Sequence, residues 1–433
     1  MSVIQPVAPD AVRWIVRTLE EGGYETWGVG GAIRDAVLGR RSGDWDLATR
    51  ARPSQVRRLF KRTVPIGVEH GTIGVLARDG TLFEVTTFRK DVDTDGRHAV
   101  VEFADTIGED LSRRDFTINA IAWHPLREEL FDPFDGAGDL ERHVLRTVGA
   151  ARDRFHEDYL RILRAIRFAG RFELDMEEDT WSALGALVDR LPALSAERIR
   201  DELLKVLGAD PRPGRALSMY RTSGALHVLF PEVEALAETS AGVGSWSHTL
   251  GVIDRLPAGR PHLRLAALLR PLQADAVAAV LMRLRLSNAN VDDVARLAGL
   301  EPLPAPDAAE EDVRRWLSRH GVTSLHAAAR MDLAAARHED GGAPSRCASV
   351  VAGWRRAKAV CRARPPLRVA ELAIDGRDLI RLGLRPGPRF GDVLEGLLDW
   401  VLEDPARNAP DVLAPRALEL HESLSPSGGG PIE

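Results

Sequence analysis

The sequence predicts an α+β fold in which a small sheet lies near the amino terminus and helices make up the remainder. Two observations support this prediction. Strand-like runs alternate with short helical patterns up to about residue 103. From about residue 140 to 360 nearly every segment has the spacing of an amphipathic helix, interrupted by proline and glycine. Such segregation of strands and helices is typical of the α+β class.

The composition excludes several classes of protein. A chain of 433 residues with 44% hydrophobic and 28% charged residues is long enough for two to four globular domains. No apolar run approaches the ~20 residues needed to span a bilayer, so we do not expect a membrane protein. Cys347 and Cys361 have no C-x-x-C spacing, which argues against a disulfide framework or a zinc site. With no targeting pattern at the start, we expect a cytoplasmic protein.

The charge pattern argues against a basic protein that binds nucleic acid with its whole surface. The formal net charge is −6, and only four of the 58 basic residues are lysines. Such an excess of arginine is also what GC-rich coding produces. An arginine is therefore informative here only where its spacing is unusual.

The first 103 residues contain the elements of the predicted sheet. The pattern predicts helices and strands in this order: helix 11–21, strand 26–31, helix 31–39 ended by Gly39, strand 45–49, helix 54–62 with Ser54 as its N-cap, and strands 71–77, 81–89 and 99–103. An Arg-Asp-Gly turn at 78–80 joins the first two of the last three strands. We expect no strands beyond residue 103.

Proline-rich and glycine-rich stretches mark breaks in the helical part. They lie at 301–312 and 338–346, and the last stretch, SPSGGGPIE, predicts a disordered tail of about ten residues. No internal repeat is visible.

A glycine pair after the first strand predicts a phosphate-binding turn. Gly30 and Gly31 lie where a strand leads into a helix, so backbone N–H groups there can bind phosphate. Arg34, one turn into the helix, can add a charge-assisted contact. A dinucleotide-binding fingerprint would need glycine at position 33, which is Ile33, so that alternative fits poorly.

Three carboxylates near this turn suggest a metal site. Asp44 and Asp46 are at i and i+2 on a predicted strand, so both project from the same face. Glu84 lies on a neighbouring predicted strand. Paired carboxylates suit Mg²⁺ and in-line phosphoryl transfer by two metal ions. A bare D-x-D pair is more often a solvated strand end, but its distance from the glycine turn favours the catalytic interpretation.

A run of arginines predicts a charged helical flank. Asp158, Arg161, Arg164, Arg167 and Arg171 recur every three or four residues, so one helix presents them on one side and packs apolar residues on the other. The alternative is a solvated charged face. We favour a binding surface, because like charges at this spacing repel one another unless an anion lies between them.

These segments together resemble the family that contains class II tRNA nucleotidyltransferases and bacterial poly(A) polymerases, within the polymerase-β nucleotidyltransferase superfamily. The first motif is similar to GGAIRDAVLGRRSGDWDLAT, which begins at Gly30. Four further stretches resemble the later motifs in the same order: RRDFTINA at 113–120, 132–149, EDYLR at 157–161 and ERIRDELL at 197–204.

The resemblance implies a role for each candidate residue. It implies an enzyme with a polymerase-β-like head in which Asp44 and Asp46 hold Mg²⁺ and Glu84 assists catalysis. The implied nucleotide-binding residues are Gly30, Gly31, Arg34, Arg113, Arg114, Asp115, Asn119, Asp158, Arg161, Arg164 and Arg167. Asp158 and Arg161 would hydrogen-bond the base edges of CTP or ATP, and tRNA would be the acceptor. Cytosine and adenine both carry an exocyclic amine and uracil does not, so selection against UTP follows.

Two segments indicate which member of the family this is. TFRKDVDTDGRHAVVEF (87–103) is similar to the flexible loop of full CCA-adding enzymes, a loop that is shortened in CC-only enzymes. VEHGTIGV (68–75) resembles the CCA-adding pattern more than that of poly(A) polymerases. We therefore expect C, C and A addition to tRNA. An A-only enzyme, a poly(A) polymerase and an idle RNA-binding protein on the same fold remain alternatives.

The second half of the chain resembles less specific parts of the family. Residues 246–288 are similar to an HD-type phosphohydrolase region, but Arg270 and Pro271 stand where its His-Asp metal pair would be, and His248 alone cannot hold a metal. We expect no hydrolase activity. The segment 367–413 is similar to the tail of bacterial members, which would contact the tRNA.

The predicted domains are a head at 1–140, a neck with the base-recognition motif at 141–225, a helical body at 226–360 and a helical tail at 361–433. The sequence leaves the oligomeric state open.

Overall fold

The structure is a computed structural model that describes residues 6–40, 44–94, 99–237, 242, 244–339 and 344–424. For 91–94 and 99–101 it describes the backbone alone. The chain divides into two compact units. The first comprises Met1–Glu238 with Val280–Leu286, and the second comprises Thr239–Ala279 with Ser287–Glu433.

The first unit contains the strands of the structure. They are β1 Thr26–Val29, β2 Asp46–Thr49, β3 Thr63–Gly67, β4 Thr72–Leu76, β5 Leu82–Thr87, β6 Arg89–Thr94, β7 Ala99–Phe103, β8 Ala122–His124, β9 Glu129–Phe131, β10 Val144–Leu145 and β11 Asp175–Met176. Its helices are α1 Asp10–Glu21, α2 Gly31–Val37, α3 Pro53–Leu59, α4 Ile107–Ser112, α5 Gly136–Glu141, α6 Ala151–Glu157, α7 Leu160–Phe172, α8 Glu178–Leu187, α9 Ala196–Ala209, α10 Gly214–Thr222, α11 Ala225–Leu229 and α12 Pro231–Ala237.

The remaining helices lie in the second unit, apart from α15, which crosses the boundary between the units. They are α13 Trp246–Arg255, α14 Pro261–Leu269, α15 Ala274–Arg283, α16 Asn288–Ala298, α17 Glu310–His320, α18 Leu325–Glu339, α19 Pro344–Arg362, α20 Gly376–Arg381, α21 Arg389–Glu403 and α22 Pro410–Ser423. The segment 301–309, within a predicted break, separates α16 from α17. The predicted disordered tail, 425–433, lies outside the described residues. No helix in the described part of the chain is long and apolar enough to cross a membrane.

The main sheet positions the site. Its strands run in the order β3-β4-β5-β2-β1-β8-β9, and of the strand pairs described in this sheet only β2–β5 is parallel. One face covers a core that includes Trp27, Val29, Ala48, Phe88 and Leu111. The central strands β1 and β2 are buried by their neighbours, so the polar groups at their ends are held on a rigid support. The α+β prediction is confirmed.

Several predicted elements need correction. The strands at 26–31, 45–49, 71–77 and 81–89 are present with shorter bounds, and the strand at 99–103 has the predicted bounds. The strands β3, β6, β8, β9, β10 and β11 were not predicted, and the last four show that the expectation of no strands beyond residue 103 is wrong. β8 and β9 are three residues each, too short for a visible alternation of apolar and polar residues. β6 pairs with β7 as a hairpin within the predicted flexible loop, whose tip at 95–98 lies outside the described residues.

The start of α3 also differs from the prediction. The helix begins at Pro53, so Ser54 lies inside it and is not the N-cap. Arg52 precedes the helix, and its backbone N–H donates to Gln55 Oε1 at 2.7 Å. Proline at the first helical position is favourable because its missing N–H would have no helical acceptor there.

Candidate active site

The junction between β1 and α2 forms one wall of a cavity in the first unit. Gly30 has φ 72°, a left-handed conformation that glycine adopts without steric penalty. A Cβ at Gly30 would lie 3.5 Å from Arg114 Nη1 and 3.6 Å from Asp46 Oδ2. The backbone of Gly30 therefore faces the same space as these two charged groups.

The three predicted carboxylates are placed unequally. Asp46 is the first residue of β2, and the parallel register of β2 and β5 puts it beside Glu84 on one face of the sheet. Asp44 precedes the strand, so the prediction that both aspartates belong to β2 is wrong. Trp45 is nevertheless buried, and the aspartates before and after it are exposed, which is the alternation expected of a strand. Asp46 and Glu84 line the cavity, and Asp44 is not among its lining residues.

Negative charge is concentrated at Asp46. Although the Asp46 side chain is open to the cavity, desolvation by the surrounding protein raises the pKa of its carboxyl above the usual range. The neighbouring Glu84 and Asp44 add to the rise, while Arg114 opposes it. Crowded carboxylates of this kind are stabilised by a cation. The described residues contain no group of three or more His, Cys, Asp and Glu side chains that would form a complete metal cage. Mg²⁺ does not need one, since it is commonly held by one or two carboxylates together with substrate phosphates.

The cavity has a volume of about 590 Å³ and a largely charged lining. Among the described residues, the side chains that line it include seven arginines and five carboxylates, so the wall carries a positive excess suited to an anionic ligand. The predicted site residues in this lining are Gly30, Gly31, Arg34, Asp46, Glu84, Arg113, Arg114, Asp115, Asn119, Asp158, Arg161 and Arg164.

Arg89, Asp110, Phe168 and Arg198 also line the cavity and were not predicted. For Asp110 a signal was available, because arginines at i+3 and i+4 from an aspartate pair with it when the chain is helical. Arg198 gave no local signal, since its carboxylate partner lies 40 residues away.

Asp115 and Asn119 connect two of the predicted arginines in the cavity wall. The carboxylate of Asp115 accepts hydrogen bonds from Arg164 Nε at 2.7 Å, from Asn119 Nδ2 at 3.0 Å and from the Phe116 backbone N–H at 2.9 Å. Arg34 Nη1 donates to Asn119 Oδ1 at 2.7 Å. Burial alone would raise the pKa of Asp115, but Arg164 and Asn119 hold it below its usual range.

Arg34 is more deeply placed than the sequence suggested. It is buried, its guanidinium donates to Asp35 at 2.9 and 3.0 Å, and its Cζ lies 4.4 Å from the centre of the Phe172 ring. Burial is the main reason that its pKa is lowered. One edge of Arg34 is thus fixed by the protein while the residue still lines the cavity.

The predicted flank of charges on one helix is interrupted. Asp158 lies between α6 and α7 in an extended conformation, with φ −158° and ψ 108°, so it is not on the same helix as the arginines. Its Oδ1 accepts from the Leu160 backbone N–H at 3.0 Å, and its Oδ2 accepts from Arg198 Nη2 at 2.7 Å. Asp158 and Arg161 both line the cavity.

The counter-anions of the arginine run are the protein's own carboxylates. Arg161 pairs with Glu157 at 2.5 Å, Arg164 with Asp115 at 2.6 Å and Arg167 with Glu202 at 2.6 Å. The argument that a ligand anion must lie between the arginines is therefore wrong, and so is the solvated alternative, because these side chains are partly or fully buried. The structure does not bring Arg167 into the cavity lining.

His248 in the second unit has a structural partner. Its Nε2 lies 2.9 Å from Glu339 Oε1, and its ring lies 5.5 Å from the ring of His338.

Comparisons with known proteins agree with this geometry. Residues 26–146 match the family described as the Poly A polymerase head domain, and residues 173–236 match a probable RNA and SrmB-binding site of polymerase A. The chain is similar to a CCA-adding enzyme from Lactobacillus delbrueckii subsp. bulgaricus, with 34% identity over 409 residues that cover 92% of this chain and 95% of the relative. It is 36% identical to a CCA-adding enzyme from Geobacillus kaustophilus over 400 residues, covering 91% and 93% of the two chains.

A solved structure extends the likeness to the fold. The crystal structure of the Bacillus stearothermophilus CCA-adding enzyme in complex with CTP superimposes with a TM-score of 0.74 at 30% identity, covering 95% of this chain and 97% of that one.

Proposed function

This chain belongs to the family of CCA-adding enzymes, and on that premise we propose that it adds C, C and A to the 3′ end of tRNA from CTP and ATP in the cavity of its first unit. The reaction is a nucleotidyl transfer. The terminal 3′-hydroxyl of the tRNA attacks the α-phosphate of the incoming nucleotide, and pyrophosphate leaves.

The carboxylates at the start of β2 are assigned to metal binding. Asp46 and Asp44 hold divalent cations, which we propose to be Mg²⁺, with Glu84 beside them to assist in removing the proton of the hydroxyl. The bound cations would supply positive charge for the phosphoryl oxygens and a lower pKa for the attacking hydroxyl. The raised pKa of Asp46 supports this assignment, because desolvation and the neighbouring Glu84 and Asp44 all disfavour a negative charge there that no cation compensates.

The positive wall of the cavity is assigned to the triphosphate. Gly30 and Gly31 present backbone to the cavity, while Arg34, Arg113, Arg114 and Asn119 surround it. Arginine forks bind phosphate oxygens well because each offers several N–H donors in one plane. Asp115 has four donors around its carboxylate and acts here by holding Arg164 and Asn119 in place.

The far end of the cavity is assigned to the base. Asp158 accepts from the exocyclic amine of cytosine or adenine, and Arg161 donates to ring nitrogen or carbonyl acceptors. Arg164, which lines the same cavity, adds positive charge near the nucleotide.

We also propose that the chain consists of a head at 1–140, a neck at 141–225, a body at 226–360 and a tail at 361–433.

The observation that carries the proposal is the meeting, in one cavity, of adjacent carboxylates on β2 and β5 with seven arginines among the described lining residues. The test is transfer of radiolabelled CTP and ATP, separately and together, onto tRNA ending at the discriminator base, at C and at CC. Ordered addition of C, C and A that then stops is the expected result. Addition of A to the CC-ended tRNA alone would indicate an A-adding enzyme. Long A tails would indicate a poly(A) polymerase, and the absence of any addition would indicate an RNA-binding protein.

A further inference from the structure

Asp110, near the end of α4, is a buried carboxylate with an unusual number of donors. Its side chain is 2% exposed. Oδ1 accepts from Arg113 Nε at 3.3 Å, from Arg113 Nη2 at 3.2 Å and from the Arg89 backbone N–H at 3.2 Å. Oδ2 accepts from Arg114 Nε at 3.3 Å and from Arg114 Nη2 at 3.0 Å. One carboxylate therefore binds two consecutive arginines, each through the same edge of its guanidinium.

This arrangement fixes the direction of both arginines. A guanidinium is planar, so a carboxylate that binds its Nε and Nη2 edge determines where the remaining Nη1 points. Arg114 Nη1 donates to the Asn119 carbonyl at 3.1 Å and would lie 3.5 Å from a Cβ at Gly30. That places the Nη1 end of the fork, which does not contact Asp110, at the glycine turn beside Asp46.

Positive charge exceeds negative charge in the group formed by Asp110, Arg113 and Arg114. A single negative charge faces two positive ones, so the group of three keeps a net positive charge where it lines the cavity. Burying a carboxylate is costly unless hydrogen bonds replace the water that it loses. Both oxygens of Asp110 accept hydrogen bonds, and these offset that cost.

Asp110 also connects the arginines to a different element. Arg89 is the first residue of β6, so its backbone hydrogen bond ties the base of the β6–β7 hairpin to the same carboxylate. The Arg89 guanidinium donates to the His70 carbonyl at 3.0 Å and lines the cavity as well. The hairpin base, the two arginines and the glycine turn are thus linked through one side chain.

We propose that Asp110 is a positioning residue that orients Arg113 and Arg114 toward the triphosphate of the incoming nucleotide and fixes the base of the β6–β7 hairpin to them. The inference rests on the proposed function, since it assumes that the arginine wall binds the triphosphate. Asp110 itself touches no substrate and acts through the two guanidinium groups.

The test is Asp110→Asn, which keeps the shape of the side chain and removes its charge. Inorganic tripolyphosphate is the probe, titrated calorimetrically in the presence of Mg²⁺, so that the binding measurement does not depend on transfer activity. We expect its dissociation constant to rise about ten- to hundredfold, as for the loss of one charge-assisted hydrogen bond. KM for CTP and for ATP should rise by similar factors, and the preference for CTP over UTP should stay within about twofold.

The matched control is Glu109→Gln. Glu109 is the neighbouring residue on α4, it is half-buried and does not line the cavity, and it accepts from the Thr106 backbone N–H at 3.1 Å as part of the helix cap. This variant should leave the tripolyphosphate affinity unchanged. Equal weakening in both variants would show that any damage to α4 has the same effect, which would overturn the positioning role.

A second variant keeps the proposal testable if Asp110→Asn folds poorly. Arg114→Lys retains the charge and loses the fork, so it should weaken tripolyphosphate to a similar extent. If Asp110 acts through Arg114, adding Asp110→Asn to Arg114→Lys should cost much less than Asp110→Asn alone. Fully additive losses, or an unchanged affinity in Asp110→Asn, would overturn the inference. Wild-type protein that binds tripolyphosphate but adds no nucleotide to any tRNA end would contradict the proposed function alone.

Discussion

At the scale of single residues, Asp46 lies where two opposing charge environments meet. Glu84 and Asp44 raise the pKa of its carboxyl together with burial, and Arg114 acts in the opposite direction. Because the folded-state pKa lies above the ordinary value of 3.8, the free energy of unfolding falls as the pH rises from 3.8 through the raised pKa, and it stays lower above it. Such a destabilising charge is expected at a site that needs it for chemistry.

Replacing Asp46 by asparagine separates the catalytic role that we propose for it from its effect on stability. We expect Asp46→Asn to lower the transfer rate by about a thousandfold or more, since it removes a ligand of the proposed cations. The melting temperature should stay the same or rise, because one of the crowded charges is lost. Asp79→Asn, in the exposed β4–β5 turn, is the control and should leave turnover unchanged. Turnover retained in Asp46→Asn would contradict the metal assignment.

A change at a residue that we propose to recognise the base should alter nucleotide preference more than triphosphate binding. Asp158→Ala should reduce the preference for CTP over UTP about ten- to hundredfold, the value of one specific contact to a base edge, and change tripolyphosphate binding little. Single-turnover incorporation of each of the four nucleotides measures this. Asp153→Ala, an exposed aspartate on α6, serves as the control. An equal loss with all four nucleotides would argue against base recognition by Asp158.

At the scale of elements, α7 packs closely against α10. A Cβ at Gly170 would lie 2.6 Å from Ala216 Cβ and 3.0 Å from the Ala216 backbone N. The interface of α7 and α10 therefore depends on a missing side chain. Since α7 carries Arg161 and Arg164, its position relative to the sheet determines where these groups lie.

This packing predicts opposite effects for two glycine-to-alanine changes in helices. Gly170→Ala should lower the free energy of unfolding by about 1–3 kcal/mol, because the added methyl group meets backbone atoms that cannot move independently. Gly185→Ala, on α8, has open space at the Cβ position and should raise it by up to about 1 kcal/mol through helix propensity. Urea unfolding of both variants measures the difference. Equal effects of the two changes would show that the close approach is relieved by movement of α10.

The elements that were predicted correctly are those with a long enough pattern. Apolar residues recur with the spacing of a helix in α1 and with the spacing of a strand in β4 and β5. The strands β8 and β9 exist because the edge of β1 is available for pairing: Ala122 aligns with Val29 and Trp123 with Gly28. A partner more than 90 residues distant in sequence leaves no local trace.

At the scale of the whole molecule, several buried carboxylates of the first unit are paired with arginines, some nearby in sequence and some distant. Burial alone would raise the pKa of the carboxylates concerned, but their arginine partners hold it below the usual range. This applies to Asp110, Asp115, Asp139 and Glu202. A lowered folded-state pKa adds stability above the ordinary pKa of the group, and this stability is lost as the pH falls through the lowered value.

The sign of these shifts predicts acid sensitivity. The melting temperature should be nearly constant near neutral pH and should fall once the pH drops below the ordinary values of 4.5 for Glu and 3.8 for Asp. Asp115→Asn removes one such group, so its melting temperature should be lower at neutral pH and should depend less steeply on pH below 3.8. Calorimetric scans of both proteins across this range provide the test. Parallel pH profiles would show that Asp115 does not contribute through its charge.

The sequence by itself determined the α+β class and predicted twelve of the residues that line the cavity, because these depend on local patterns. The glycine turn, the D-x-D pair and the arginine run each occupy a few consecutive residues, and their spacing constrains what they can do.

Only the tertiary structure decided how the charges are paired. Arg164 binds Asp115 across 49 positions of the sequence, Arg198 binds Asp158 across 40 and Arg167 binds Glu202 across 35. The same pairing places Arg167 outside the cavity and leaves Arg161 and Arg164 in its wall. Ion pairs form between whichever side chains folding brings within a few ångströms, and no local period encodes that choice. The sequence therefore supplies the identity of the charged groups, and the fold determines which of them pair with one another and which line the cavity.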